Sequence, residues 1–539
     1  MAERIVIDPV TRIEGHLKIE VEISNGVVTD AWSSGTLFRG IETILEGRKP
    51  DEAWLLAQRL CGVCTYIQGA TSIRSVEDAM QLAIPDNGRI VRNLMAGSLF
   101  IHDHPVHFYH LSALDWIDII SALSANVGTT ADLASQISPG APAIDFTEVQ
   151  ATLQNFVDSG KLGPFAGGYW GHPAYTLSPE ENLLFAAHYL YALRQQVKAG
   201  QLQAIFGGKN PHPQNLRVGG VTCQEELTTA RIGEFRSLLN EMRDFIDQVY
   251  LPDVVHLAQA YPGWAQLGGF RNYMSYGEFP LSSSDPTELF LPCGVIMDKN
   301  LDAVDDVLLA QISEHVQHSW YQGSTARYPQ EGETLPNFTG YDTANRYSWL
   351  KAPRYNGEPM EVGPLARVLI SYGLGQNRIV PAVDSFLGQA GLTIDDMHST
   401  LGRSGARAIE TQVVADAMVD WLDQLIPGAT ARVAAEIIAS GTGIGLNEAP
   451  RGALGHWIRI NNAKIEHYQM VVPSTWNLGP RCAAGYRGPV EEALIGTPVA
   501  NPEQPVEILR IVHSYDPCLA CAVHITDNDQ ESHYTVKVI

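Results

Sequence analysis

Two Cys-x-x-Cys pairs stand near opposite ends of the 539-residue sequence. The first is Cys61-Gly62-Val63-Cys64, and the second lies within Asp516-Pro517-Cys518-Leu519-Ala520-Cys521-Ala522-Val523-His524. Four thiolates are soft, anionic donors, suited to zinc, iron-sulfur centres or other transition metals rather than to magnesium or calcium. One pair alone signals little, because buried free cysteines are common and behave as small hydrophobes. Two pairs say more. A zinc ribbon sets its pairs roughly 15–20 residues apart in one small unit, whereas Cys518 follows Cys61 by 457 positions. Bringing them together takes the folding of almost the whole chain, an odd design for a structural clip and a reasonable one for a buried catalytic or redox metal. The spacing itself does not name the metal, and a structural zinc stays open at this point.

The elements that must position these residues belong to a globular chain. Hydrophobic residues make up 45% and charged residues 18%, enough to bury a large core and to exclude intrinsic disorder. A formal net charge of −24 argues against nucleic acid as a partner, since phosphate binding needs clustered Lys and Arg. The N-terminal residues hold no apolar run of signal-sequence length, and no 18-residue uncharged apolar stretch follows, so neither an export signal nor a membrane span is expected in this chain. Cys223, Cys293 and Cys482 are left over, odd in number, and read as core thiols rather than a disulfide framework.

The chain opens with alternating strands. Leu17-Lys18-Ile19-Glu20-Val21-Glu22-Ile23 meets Asn25-Gly26 and then Val27-Val28, a hairpin signal because Asn-Gly accepts the positive φ angles of a type I′ turn. From Trp54 to about Leu123 the pattern is helical, interrupted at Cys61 and Cys64 and expected to end or kink at Pro105. His102, His104, His107 and His110 read as neutral, hydrogen-bonded histidines. Ser178-Pro179-Glu180-Glu181 is a helix start with a capping box, continued by Leu183, Ala187, Leu190 and Val197. Thr222-Cys223-Gln224-Glu225 suggests another start, before a core stripe of Phe235, Leu238, Met242 and Phe245. A third helix fits 405–425 through Ile409, Val413, Met418 and Leu422. The fold class expected is α+β and predominantly helical, with a central bundle of long helices and small peripheral sheets. Residues 265–360 read as irregular and surface-forming. Gly441-Thr442-Gly443-Ile444-Gly445 lacks the spacing and context of a dinucleotide loop. Strands are expected around Asn461-Asn462, at 458–460 and 468–472.

With these residues assembled, the sequence resembles the large subunit of the nickel-iron hydrogenases. Arg59-Leu60-Cys61-Gly62-Val63-Cys64 and the segment 516–524 are similar to that family's two signature motifs, and further matches are Arg12-Ile13-Glu14-Gly15-His16, Phe38-Arg39-Gly40-Ile41-Glu42, His102-Asp103-His104 and Ala449-Pro450-Arg451-Gly452. Asn210-Pro211-His212-Pro213-Gln214 and Val218-Gly219-Gly220-Val221-Thr222 resemble the membrane-bound respiratory branch.

The resemblance implies a role for each matching position. Cys61 and Cys518 would be terminal nickel ligands, and Cys64 and Cys521 would bridge nickel to an iron carrying carbonyl and cyanide. Glu42, the Met470 carbonyl and His524 would hold a magnesium ion. Ser474, Pro450 and Arg451 would line the cyanides, with Asp103 and Asp516 holding Arg451. Hydrogen would be split heterolytically. Of the two bases available for the proton, the Cys518 thiolate and the Arg451 guanidine, the thiolate is favoured, because arginine is not deprotonated in proteins. Glu14 would relay the proton. Read alone, Glu14 and Glu42 would be solvated carboxylates; the resemblance reverses that. One position departs from the family: Gln68 stands where a histidine usually hydrogen-bonds a bridging thiolate, and an amide donates to sulfur but carries no proton.

The same resemblance implies an iron-sulfur small subunit as electron partner, a membrane cytochrome b beyond it, and maturation by nickel-insertion proteins and a dedicated endopeptidase. That endopeptidase would cut after His524, leaving 1–524 as one compact mature unit and removing 525–539. Export with the small subunit would place the enzyme on the periplasmic face of the membrane, with a cytoplasmic location as the other possibility. The quinone-site subunit of respiratory complex I shares the ancestry but lacks the full cysteine set, which weighs against it here. A hydrogen sensor with little turnover is the alternative function, since sensors of the family tend to carry Gln at the position of Gln68; they also tend to lack the C-terminal extension present here.

Overall fold

The computed structural model describes residues 3–519 apart from Pro286. Helix accounts for 46% and strand for 17%, which makes the fold α+β with helix predominant. Its first sheet is an antiparallel meander of β1 (Glu3–Ile7), β2 (Leu17–Ser24) and β3 (Val27–Gly35). The β2–β3 turn is Asn25-Gly26, with φ of 52° and 75°, the two left-handed positions that a type I′ turn requires.

Six helices position the site or pack on those that do. They are α1 (Thr65–Met80), α2 (Asp86–Val106), α3 (Pro179–Gly207), α4 (Thr229–Phe245), α5 (Pro364–Gly373) and α6 (Thr400–Gln424). Helix α2 packs against both α3 and α6, and α6 also meets α4 and α5. Ser178 caps α3 through a reciprocal box with Glu181, and Gly208 at φ 77° ends it, the proline-first and glycine-last asymmetry of helices. Along α3, Leu183 and Ala187 are buried but Val197 is 58% exposed, because the apolar stripe shifts to Ala199, Leu202 and Phe206 where α4 lies alongside. Helix α4 does not begin at Thr222. That hydroxyl donates to the Asn215 carbonyl, and Thr228 instead caps the helix by accepting from Arg231 N–H. Pro105 does not end α2 abruptly; the chain runs on as a π-helical turn, His107–Ser112.

The second meander is β4 (Ser440–Ala449), β5 (Gly452–Asn461) and β6 (Lys464–Val471). Its first strand explains the glycine run. A Cβ on Gly443 would lie 2.1 Å from the Ser75 carbonyl oxygen, and one on Gly445 would lie 2.1 Å from that of Thr71, so these glycines let β4 rest on α1 and bind no phosphate. Residues 265–360 are irregular and surface-forming as expected, and part of the segment is also buried. Met274, Tyr276, Trp457 and Trp476 share one buried cluster, and Phe38, Trp320, Tyr321 and Trp349 another. Cys223 and Cys482 are buried, whereas Cys293 is exposed. The last described helix is α7 (Val506–Ser514).

Candidate metal centre

Three elements carry the described cysteines to one point. Cys61 ends a short 3-10 turn, Cys64 is the N-cap of α1, and Cys518 follows α7. Their sulfurs lie within 4.8 Å of one another, with Cys518 Sγ 3.4 Å from Cys61 Sγ and 4.0 Å from Cys64 Sγ. Backbone amides of Val63 and Cys64 donate to Cys61 Sγ at 3.2 and 3.3 Å. All three side chains are at most 2% exposed. Thiolates this close and this dry repel one another unless a cation lies among them, so the donor set fits a soft metal. Cys521 and His524 lie outside the described residues.

The two chain ends form this site by pairing. Glu14 and Cys518 make a parallel bridge, with Glu14 N–H donating to the Pro517 carbonyl at 3.3 Å and Leu519 N–H to the Glu14 carbonyl at 2.7 Å. That pairing brings Cys518 Sγ within 3.4 Å of Glu14 Oε2. Ser474 Oγ accepts from Cys518 N–H at 3.0 Å. Behind the pairing, Asp115 binds Arg12 on one side and His513 of α7, at 2.6 Å, on the other.

Pro450 and Arg451 are the two tip residues of the β4–β5 hairpin, whose last pair is Ala449 with Gly452. Arg451 is buried, 3.0 Å from Asp103 and 3.1 Å from Asp516. Burial disfavours its charge, but Asp516, Cys518, Asp103 and Cys64 outweigh that and hold the guanidinium well above its ordinary range. Arg451 is thus a fixed cation. Asp516 answers it: burial pushes its carboxyl up, and the guanidiniums of Arg451 and Arg407 hold it below the usual carboxylate range.

Glu42 is buried beside the other expected metal position. Its carboxylate accepts from Met470 N–H at 2.9 Å and from the Thr334 hydroxyl. Nearby, Gln469 donates to Glu314 at 2.9 Å and Lys351 lies 3.5 Å from the same carboxylate. Burial, offset in part by Lys351 and reinforced by Glu42, raises Glu314 to about 7. Gln68, one helical turn after Cys64, has its Oε1 3.0 Å from His456 Nε2. The histidine quartet is partnered: His102 with Asp103, His104 with Glu410, and His107 and His110 with the backbone oxygens of His513 and Tyr189. Burial lowers His107 to about 3 and His110 to about 4, so both are neutral.

Sequence reasoning passed over the buried charges that hold these parts together. Arg367 of α5 binds Glu410 at 2.6 and 2.7 Å, Glu448 at 2.7 Å, and the carbonyls of Ala449 and Pro450 at 2.9 and 3.0 Å. Arg403 binds Glu361 at 2.8 Å and the Tyr515 hydroxyl at 2.5 Å, and Arg407 donates to the Ser514 carbonyl at 2.7 Å. Arg403, Arg407 and Glu410 recur at helical spacing on one buried side of α6. That spacing was the available signal, although charged residues are so rarely buried that it reads first as a solvated face.

Clustered thiols beside a carboxylate and a fixed guanidinium define a transition-metal redox or hydrolytic centre. Comparison with known proteins narrows it. The model of the family described as nickel-dependent hydrogenase matches residues 39–524, and a HoxL-like model matches 4–33. The Hydrogenase-2 large chain of Escherichia coli (strain K12) is 42% identical over 100% of both chains. The uptake hydrogenase large subunit of Rhizobium leguminosarum bv. viciae is 43% identical over 99% of this chain and 97% of its own length. The quinone-reactive Ni/Fe-hydrogenase large chain of Wolinella succinogenes is 42% identical over 100% and 99%. Among solved structures, the [NiFeSe]-hydrogenase of Dm. baculatum superposes with a TM-score of 0.81 at 35% identity, covering 97% of this chain and 100% of that one. The chain belongs to the nickel-dependent hydrogenase family. Within that family it is a large subunit of the nickel-iron type.

Proposed function

We propose that this large subunit oxidises H2 and passes the electrons to an iron-sulfur small subunit. The observation that carries the reading is the 3.4 Å contact between Cys518 Sγ and Glu14 Oε2, a thiol within reach of a carboxylate at a cluster of metal-binding sulfurs. Cys61, Cys64, Cys518 and Cys521 would hold a nickel-iron group with carbonyl and cyanide on the iron, which would supply the polarisation that splits H2. Each H2 gives two protons and two electrons; the electrons would leave to the small subunit, and the Cys518 sulfur would take up each proton in turn and hand it to Glu14, whose backbone is pinned to the same segment. Arg451, held by Asp103 and Asp516, stays charged and positions what sits beneath it; with Pro450 and Ser474 it lines the diatomic ligands. Glu42, the Met470 carbonyl and His524 would hold a magnesium ion.

The finer architecture follows the same reading. Helices α2, α3, α4 and α6 act as a central bundle on which the site-bearing segments are mounted, and the family match ending at residue 524 supports cleavage of 525–539 by a maturation endopeptidase after nickel insertion. No described helix is long and apolar enough to cross a membrane. Peripheral attachment at the periplasmic face, through the small subunit and a cytochrome b, fits the naming of relatives as uptake and quinone-reactive enzymes. Those names also favour turnover over the sensing role that Gln68 suggests. Purification with the small subunit decides the proposal. One nickel per complex, iron in excess of nickel because the small subunit's clusters add their own, infrared bands of carbonyl and cyanide, and H2-dependent dye reduction are expected; a complex that holds zinc in place of nickel and shows no such bands would end it.

A further inference from the structure

Gln68 is fully buried, and its two amide atoms are treated differently. Oε1 faces His456 Nε2 at 3.0 Å, while Nε2 is buried with no hydrogen-bond partner among the described residues. Side chains in an α-helix lean toward the preceding turn, and the residue one turn before Gln68 is Cys64, the N-cap of α1. The side chain therefore leans toward the turn that carries Cys64.

What faces the other end of the amide decides whether a donor or an acceptor points there. His456 is fully buried on β5, and its second ring nitrogen, Nδ1, lies 2.8 Å from the Tyr468 hydroxyl on β6. Neither partner is a carboxylate, so nothing in contact favours a charged ring. A neutral imidazole has one donor and one acceptor, which allows two consistent arrangements. In one, Tyr468 O–H donates to Nδ1, His456 Nε2–H donates to Gln68 Oε1, and the Gln68 NH2 turns to the cysteines. In the other every bond is reversed and the Gln68 carbonyl oxygen faces them. Thiolates repel a carbonyl oxygen and attract an N–H, so the first arrangement holds.

We propose that His456 is a positioning residue that locks the Gln68 amide with its NH2 toward Cys64, so that Gln68 serves as a hydrogen-bond donor to that cysteine's sulfur. The lock also gives this chain a fixed donor at a position where an unrestrained amide would be free to turn either way. It rests on the nickel-iron reading, and the test separates the two.

The test uses the purified complex with its small subunit. His456→Met removes the ring donor and roughly keeps the volume. Nickel and iron should be retained, the carbonyl and cyanide infrared bands should be displaced, and H2 turnover should fall about tenfold, the lower end of what removing a partner behind a metal ligand does. Gln68→Met should displace the bands in the same direction, and the double variant should add no further displacement, because the two residues act in series. His456→Gln, whose amide N–H can stand in for Nε2–H, should return the parent spectrum. Unchanged bands in metal-loaded His456→Met, or an equal further displacement by His456→Met in the Gln68→Met background, would overturn the inference. Should His456→Met not accumulate, parent bands in Gln68→Met overturn it alone. Absence of carbonyl and cyanide bands from the parent enzyme would instead strike the functional reading.

Discussion

Asp115 joins the two ends of the chain, and its removal should loosen that junction before anything else. Its carboxylate is buried between Arg12, two residues before Glu14, and His513, five before Cys518. Burial alone would raise its pKa, yet Arg12 and His513 outweigh burial and bring it from 3.8 to about 2. At 1.36 kcal/mol per pK unit that is about 2.5 kcal/mol, equivalent to between tenfold and a hundredfold in an opening equilibrium. Asp115→Asn keeps the shape, deletes the charge and leaves Arg12 and His513 without the carboxylate they share; breaking a buried pair costs about 3–5 kcal/mol, so the linkage value is the lower bound. The assay is amide hydrogen exchange, read by mass spectrometry in the assembled enzyme at pH 7. Exchange should rise by that factor in the segments around 12–19 and 506–518 and little elsewhere. Since a carboxyl with a depressed folded pKa stabilises fully above its unfolded value, the difference should persist from pH 7 to about 4 and fade as the pH drops toward 2. Unaltered exchange at both segments, or a rise spread evenly over the chain, would refute the idea that Asp115 ties the ends.

Three other outcomes are expected. Cys61→Ser or Cys518→Ser should abolish nickel retention, because a hydroxyl is a far poorer soft-metal ligand than a thiolate; full nickel occupancy by elemental analysis would contradict the assignment. Glu14→Gln should keep the metals but lose most H2 oxidation and H/D exchange into solvent, since the amide preserves shape and removes the titrating group; undiminished turnover and exchange would mean that protons leave by another route. Intact-mass measurement of active enzyme should show a chain ending at His524, and a fully active species that retains 525–539 would be incompatible with processing there.

Much of the site was legible because its chemistry sits in short motifs. Cys61, Cys64 and Cys518 announce a soft-metal centre by type, Asn25-Gly26 announces its hairpin, and Ser178 its helix. The metal's identity was not in the spacing and came from the resemblance carried by residues 12–16, 59–64 and 516–524. Other features were hidden for physical reasons. Thr222 and Thr228 are both followed by helix-compatible residues, and only the fold shows that the Thr222 hydroxyl is taken by Asn215. Gly443 and Gly445 resemble a ligand loop until α1 is placed beneath them. Arg367, Glu410 and Glu448 satisfy one another through contacts 43 and 81 positions apart, and local sequence holds no mark of such a network.

The pairing of Glu14 with Cys518, 504 positions apart, also has a meaning in time. A chain leaving the ribosome presents Cys61 and Cys64 early, on a helix whose packing partners α2 and β4 are made long before the last segment. At that stage it offers two soft donors, too few for the closed sulfur cluster. The cluster, the Glu14 contact and the Ser474 contact all arrive together, with the final stretch of translation. Closure of the sulfur cluster is thereby deferred until Cys518 has been made, and a chain that stops before it carries no counterfeit of the finished centre. Defects at the first residues and at the last should then present as the same failure, since each removes one side of a single seam.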